Sequence, residues 1–83
     1  MERDVILEKI IEILKNRFEY LNYSKELNYE THVFKDLDMD DIDMVEFAME
    51  LEMAFELVVV DDDVIDFVTL GEYVDYICDK LLA

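Results

Sequence analysis

Residues 34–52 read FKDLDMDDIDMVEFAMELE, and this stretch decides the fold of the 83-residue chain. It predicts a helix that begins near Asp40, because an aspartate N-cap followed by more carboxylates in the first turn favours helix formation. At 100° per residue, one face of this helix is apolar and indicates the side that enters the core. That face comprises Met44, Phe47, Ala48, Leu51, Ala54 and Phe55.

A second apolar stripe lies beside the predicted core face of this helix. It is formed by Ile42, Met49 and Met53, and the acids Asp43, Glu46 and Glu50 cluster on one flank that we expect to be exposed. An apolar strip edged with acid is typical of a helix that binds a partner protein. The same spacing also fits a wider core face, and the periodicity alone supports both interpretations equally.

Periodicity and caps predict three more helices. The first runs from about Arg3 to Arg17. Its predicted core face steps i, i+3, i+4, i+7 and i+11 and consists of Leu7, Ile10, Ile11, Leu14 and Phe18. Asp61 opens a short third helix, and Thr69 and Glu72 form a capping box that opens the last helix. Residues 22–39 show no period and form a long loop, and residues 58–60 form an extended connection. We therefore predict an all-α four-helix bundle, a single domain over residues 1–83, with a short third helix.

The charge restricts the partners of this chain. Twenty-three acids against seven bases give a net charge of −16, which repels nucleic acid and anionic lipid and favours partners with basic patches. No apolar run has the roughly 18 residues that a membrane span needs. A single cysteine and the absence of a leader pattern favour a reducing, cytoplasmic location. We expect the protein alone to be monomeric.

Residues 34–52 resemble the motif F-x-D-L-G-x-D-S-L-D-x-V-E of the acyl carrier proteins, and residues 67–77 (FVTLGEYVDYI) resemble the family's closing T-V-x-x-x-x-x-Y-I. The resemblance implies a four-helix bundle whose second helix docks onto basic patches of acyl-chain synthesis or transfer enzymes. It also implies that a 4′-phosphopantetheine arm is attached to the serine at the start of that helix. The matching docking positions are Asp40, Asp43, Glu46 and Glu52 for acids, and Ile42 and Met49 for apolar contacts. With Glu50 and Met53 from the helix pattern, these residues form the predicted partner-binding set.

The chain departs from the family motif at the attachment position. Asp41 stands where the modified serine is expected, and a carboxylate cannot act as the hydroxyl that accepts the arm. Asp38 and Glu56 replace two common glycines, and Val60 replaces a proline. The only serine, Ser24, and the two threonines, Thr31 and Thr69, are not placed to substitute for the missing serine. We therefore predict a carrier-like docking module with no cofactor attached.

Three alternatives remain open at this stage. The chain could be a true acyl carrier protein of fatty acid or polyketide-type synthesis whose serine was replaced by Asp41. It could be an acidic decoy of a nucleic-acid-binding protein, although its acids concentrate around the second helix. Within the docking hypothesis, Asp41 could also imitate the charge of the phosphodiester that a modified carrier bears.

Metal binding and catalysis find little support in the sequence. The spacing of Asp36, Asp38 and Asp40 matches the opening of an EF-hand loop, but Asp41 and Phe47 stand where that loop needs glycine and glutamate. At most a weak cation site is expected. His32 has no second histidine or cysteine nearby, so we expect a loop-anchoring or an exposed histidine rather than a metal ligand. Cys78 fits a core position better than a reactive one. No nucleophile and base can be paired, so we predict no enzyme activity.

Overall fold

The structure, a computed structural model, describes residues 1–82 and contains four helices. They are α1 (Arg3–Arg17), α2 (Asp41–Phe55), α3 (Asp61–Val64) and α4 (Leu70–Leu82). Within residues 1–82 there is no strand, and the single isolated β-bridge joins His32 to Thr69. The all-α class, the short third helix and the long loop between α1 and α2 are confirmed. None of these helices is long and apolar enough to cross a membrane.

Helix α1 has the predicted bounds, but its buried face is rotated slightly from the predicted one. Ile6, Ile10 and Leu14 are buried at a spacing of four, and Leu7 and Ile11 are only partly buried at the edge of this face. The helix packs chiefly against α4. Arg3 of α1 and Asp75 of α4 form an ion pair at 2.7 Å on the surface of this packing.

Helix α2 begins with the predicted Asp40 N-cap. The Asp43 backbone N–H donates to the Asp40 carboxylate at 2.8 Å, and the Asp40 N–H donates to the Asp43 carboxylate at 3.0 Å. This reciprocal capping box satisfies two amides that helix geometry would leave free. The helix buries Phe47, Ala48, Leu51 and Phe55. The prediction that Ala54 belongs to the core is wrong because Ala54 is exposed, and Met44 is only partly buried.

Two residues of the chain adopt left-handed backbone conformations without being glycine. They are Asp38, with φ of 62°, and Glu56, with φ of 53°, the residue that ends α2. A Cβ atom makes this conformation unfavourable, and aspartate tolerates it better than glutamate does. Both positions are those where the sequence motif leads one to expect glycine.

The loop between α1 and α2 is hydrogen-bonded to the start of α4. Its backbone N–H groups and carbonyls form hydrogen bonds to residues 68–71, which compensate for its lack of regular structure. These bonds are Val33 N–H to Val68 O at 2.9 Å, Leu70 N–H to Thr31 O at 3.1 Å and Gly71 N–H to Tyr29 O at 2.8 Å. A Cβ at Gly71 would lie 2.9 Å from that Tyr29 oxygen, so only glycine fits this close approach.

Side chains complete the attachment of the loop and the caps. His32 accepts hydrogen bonds at Nδ1 from the N–H groups of Phe34 and Lys35, which confirms its loop-anchoring role. The predicted capping box of α4 is present, since the Glu72 carboxylate accepts from the Thr69 N–H and the Thr69 hydroxyl accepts from the Glu72 N–H. Cys78 is partly buried against the core rather than fully enclosed.

Candidate functional site

The exposed side of α2 carries an apolar stripe. Ile42, Val45, Met49 and Met53 are each between 57% and 69% exposed, at the spacing i, i+3, i+7 and i+11 that places them along one line of the helix. The predicted stripe contained three of these four residues and lacked Val45, although the same spacing includes it. Side chains this large and this exposed on one helix face form a contiguous apolar surface that water solvates poorly.

Free carboxylates accompany this stripe. Asp40, Asp41 and Glu46 are all exposed on α2 or at its N-cap. Asp40 uses one carboxylate oxygen to cap the helix, and the described side chains give Glu46 no ion-pair partner. The exposed side of α2 therefore presents an apolar centre with acid beside it.

Asp43 does not belong to this exposed surface, and its predicted position on an exposed flank is wrong. Its side chain is 7% exposed, and its carboxylate accepts hydrogen bonds from the Asp40 N–H and from the Tyr20 hydroxyl. The bond to Asp43 raises the pKa of Tyr20 to about 12, because ionised tyrosine would lose the bond and face a carboxylate. The helix wheel could not reveal this because Tyr20 lies in the loop after α1.

Glu50 and Glu52 are each committed in part to contacts within the fold. Glu50 pairs with Arg17 of α1 at 3.8 Å, and its side chain is about one quarter exposed, at 23%. The Glu52 carboxylate accepts the Val59 N–H at 3.2 Å and so helps to hold the connection that follows α2. Both side chains are still partly exposed beside the stripe, but they are less available to a partner than the exposed Glu46.

A cavity of about 420 Å³ lies between α2 and α3. Its lining is largely apolar and includes Val45, Ala48 and Val64, whereas Asp41 and Asp61 contribute carboxylates. Tyr73 of α4 also lines the cavity. Its hydroxyl is buried without a hydrogen-bond partner among the described residues, and burial raises its pKa. The sequence pattern does not predict this cavity, because it forms between residues far apart in the chain.

Position 41 offers a carboxylate at the first residue of α2, and no serine or threonine of residues 1–82 lines the cavity beside it. Ser24 is exposed in the loop after α1, outside the stripe and the cavity. The Thr31 hydroxyl accepts the Asn28 N–H, and the Thr69 hydroxyl belongs to the capping box of α4. Both threonine hydroxyls therefore serve the local backbone.

Metal ligands do not converge in the part of the chain that the structure describes. Within residues 1–82, no three side chains of histidine, cysteine, aspartate or glutamate come together in a group that could hold an ion. Asp36 accepts the His32 N–H and pairs with Lys25, which together hold the pKa of its carboxyl below the ordinary value. Of these acids, Asp36 therefore holds the loop and Asp40 caps α2.

Comparisons with known proteins agree on one family. The family model described as the phosphopantetheine attachment site matches residues 5–77. Acyl carrier proteins from Rubrobacter xylanophilus and Lactobacillus johnsonii are 37% and 38% identical to this chain, covering 100% and 93% of it and 100% and 94% of their own lengths. A solved structure of an acyl carrier protein from Enterococcus faecalis, 31% identical, aligns with a TM-score of 0.74 over 96% of this chain and 99% of that chain.

Proposed function

This chain belongs to the acyl carrier protein family, and from that membership we propose that it docks basic partner enzymes through α2 while bearing no phosphopantetheine arm. Members of the family are carriers rather than enzymes, and they interact with enzymes of acyl-chain synthesis and transfer. Our proposal keeps the partner class and the docking helix of the family. It departs from the family in the absence of the attached group.

The observation that carries the docking proposal is the exposed apolar stripe of Ile42, Val45, Met49 and Met53. Burying this surface against a partner would supply most of the binding free energy, because apolar burial is the main favourable term in association. Asp40, Asp41 and Glu46 would face basic groups on the partner and accelerate the encounter. The net charge of −16 acts in the same direction over a longer range.

The proposed docking set differs from the sequence-based one at Asp43. Its carboxylate already holds two hydrogen bonds and is buried, so a partner cation would have to displace the Tyr20 hydroxyl. We therefore assign Asp43 to the start of α2 rather than to the docking surface. Glu50 and Glu52 stay in the docking set as secondary contacts at its edge, since each also serves the fold.

The proposal that no arm is attached rests on the chemistry of position 41. The family's 4′-phosphopantetheine requires a hydroxyl to form its phosphodiester, and Asp41 provides a carboxylate instead. The residues at this position therefore do not fit the group. Asp41 instead places one negative charge at the start of α2. That charge supports the idea that the chain imitates the electrostatics of a modified carrier.

The two alternative functions have less support. If only the serine of a true carrier had been replaced, positions 38 and 56 should still be the glycines common in the family. They are instead Asp38 and Glu56, both in left-handed conformations. A decoy of nucleic acid would need charge along its length without an apolar centre, whereas α2 carries both. We also propose that residues 1–83 act as one monomeric unit in the cytoplasm, where a single free cysteine stays reduced.

The docking proposal can be tested by measuring association with an acyl-chain condensing enzyme that accepts carriers of this family. We expect Glu46→Lys to lower the association rate about tenfold at low salt and much less at high salt. Met49→Gln should mainly raise the dissociation rate, because it removes apolar contact. Glu8→Lys is the matched control, since Glu8 is an exposed acid of α1. Equal losses from Glu46→Lys and Glu8→Lys would show that α2 is not the docking helix.

A further inference from the structure

Three tyrosines of the chain donate a hydrogen bond from the hydroxyl to an aspartate carboxylate. The pairs are Tyr20 with Asp43, Tyr29 with Asp4 and Tyr76 with Asp63. A phenol that donates to a carboxylate gains electron density, and the negative face of its ring then attracts a cation more strongly. Each of these three rings is therefore suited to hold a positively charged side chain.

Two of the three rings already hold a cation from the chain itself. The guanidinium of Arg3 lies over the Tyr29 ring, 4.9 Å from its centre, and also pairs with Asp75 at 2.7 Å. The ammonium of Lys80 lies over the Tyr76 ring, 5.2 Å from its centre. The protein therefore uses this arrangement of phenol, carboxylate and cation twice within its own fold.

Tyr20 has the same arrangement without the cation. Within residues 1–82, no lysine or arginine lies over its ring. The residue is 66% exposed, whereas Tyr29 and Tyr76 are partly buried. Its hydroxyl is bound to Asp43, and its ring centre lies 6.3 Å from that of the buried Phe18, so two contacts hold the ring in place. A fixed aromatic ring is thus left open to solvent.

Carboxylates without a paired cation lie near this ring. The bond to Asp43 contributes most to the raised pKa of Tyr20, followed by partial desolvation of the hydroxyl and by nearby negative charges. Those charges include Glu46 and Asp40, which are exposed and take part in none of the ion pairs within residues 1–82. Glu46 also lies one turn before Met49 of the exposed stripe. The ring and its acids therefore continue the proposed docking surface.

We propose that Tyr20 and Glu46 bind an arginine side chain of the docking partner, whose guanidinium stacks on the Tyr20 ring and pairs with Glu46, while Asp40 adds negative charge beside it. This inference rests on the proposed docking function and extends its surface from α2 to the loop after α1. Arginine fits better than lysine, because a planar guanidinium can stack on a ring and donate to a carboxylate at its edge at the same time.

The first test uses the isolated protein and N-acetyl-arginine amide, followed by NMR. We expect saturable binding in the millimolar range, with the arginine methylene signals shifted upfield and in nuclear Overhauser contact with the Tyr20 ring. N-acetyl-lysine amide should bind more weakly, and N-acetyl-citrulline amide, which is planar but uncharged, should not bind. The ring of Tyr23, whose hydroxyl donates to backbone carbonyls, is the internal control and should show no contact.

Tyr20→Phe and Tyr20→Leu form a matched pair of variants. Both lose the hydroxyl bond to Asp43, but only the leucine variant loses the aromatic face. Tyr20→Leu should therefore bind the arginine amide about two- to fivefold more weakly than Tyr20→Phe, the effect of a cation–ring contact at an exposed site. Glu46→Gln should weaken binding about twofold or more, whereas Glu8→Gln on α1 should not. Thermal melting verifies that each variant is folded.

The second test measures docking of the same two Tyr20 variants to the acyl-chain condensing enzyme. We expect the Kd of Tyr20→Leu to exceed that of Tyr20→Phe by about two- to fivefold. If the enzyme fails to bind while the arginine amide still binds at Tyr20, the docking function is wrong and the arginine site stands.

Three results would overturn the inference. The first is equal affinity of the two Tyr20 variants for the arginine amide, which would mean that the ring contributes nothing. The second is binding of the lysine or citrulline amide as tight as that of the arginine amide, which would mean that charge alone or planarity alone is recognised. The third is equal docking of both variants to the enzyme, which would place the partner away from Tyr20.

Discussion

The hydroxyl of Tyr20, in the loop after α1, donates a hydrogen bond to the carboxylate of Asp43, 23 residues further along the chain. The same carboxylate accepts the Asp40 N–H and so belongs to the capping box that starts α2. One side chain therefore joins the end of α1 to the beginning of α2. Although Asp43 resembles a docking acid in the sequence, its contacts indicate a role in positioning α2.

The first prediction concerns the stability of α2. Asp43→Ala should lower the free energy of unfolding by about 1–3 kcal/mol, because it leaves the Asp40 N–H and the Tyr20 hydroxyl without their acceptor. Glu46→Ala, on the exposed side of the same helix, should change it by no more than about 0.5 kcal/mol. Urea unfolding followed by circular dichroism measures both. Similar small effects from the two variants would contradict the structural role of Asp43.

The second prediction concerns alkaline pH. The pKa of Tyr20 is raised to about 12 by its bond to Asp43. A raised pKa in the folded state means that this contribution to stability is complete below about pH 10, the ordinary tyrosine pKa, and is lost as the pH rises through about 12. Carbon NMR of the tyrosine rings should show Asp43→Asn lowering the pKa of Tyr20 towards 10. Tyr23, whose pKa burial raises to about 12, should not change and serves as the internal control.

The third prediction concerns the left-handed residues. Glu56→Gly should raise the free energy of unfolding by about 0.5–1 kcal/mol, because glycine adopts positive φ without the steric penalty that glutamate pays at 53°. Asp38→Gly should raise the free energy of unfolding by less, since aspartate tolerates this conformation better than glutamate does. Glu12→Gly, at an exposed position in the middle of α1, should instead lower the free energy of unfolding by about 1 kcal/mol. A destabilised Glu56→Gly variant would mean that the side chain of Glu56 makes a contact outweighing its strain.

The fourth prediction concerns modification. Incubation with a phosphopantetheinyl transferase and coenzyme A should leave the mass of the protein unchanged, because Asp41 has no hydroxyl. Asp41→Ser should gain the mass of one arm if the surface that the transferase binds is intact. An added arm on the unaltered chain, mapped to Ser24 or to either threonine, would refute the proposal that the protein is not a carrier.

The fifth prediction concerns ionic conditions. The ion pairs within residues 1–82 are Arg3–Asp75, Arg17–Glu50 and Lys25–Asp36, so most of the 23 acids repel one another without local compensation. Salt screens this repulsion over a Debye length of about 10 Å at 0.1 M. We expect the melting temperature to rise with salt, and to rise similarly with millimolar calcium or magnesium. A calcium-selective, stoichiometric response at micromolar levels would indicate a metal site that these contacts do not show.

The sequence predicts the helices of this protein better than it predicts the surface between them. The bounds of α1, the Asp40 cap and the Thr69–Glu72 box follow from local rules, because neighbouring residues in the chain determine periodicity and capping. The burial of Asp43 and the exposure of Ala54 do not follow, since each depends on what packs beside α2. The cavity lined by Tyr73 is missed for the same reason, because its walls come from three helices and from the loop before α2.

The pairing of α1 with α4 makes the fold depend on contacts between residues far apart in the sequence. α1 is made first, yet its principal packing partner is the last helix of the described chain, and the Arg3–Asp75 ion pair closes only when both are present. The loop after α1 likewise forms backbone hydrogen bonds with residues 68–71. We therefore expect a chain truncated before α4 to leave part of the apolar face of Ile6, Ile10 and Leu14 uncovered, because that face belongs to the helix that packs chiefly against α4.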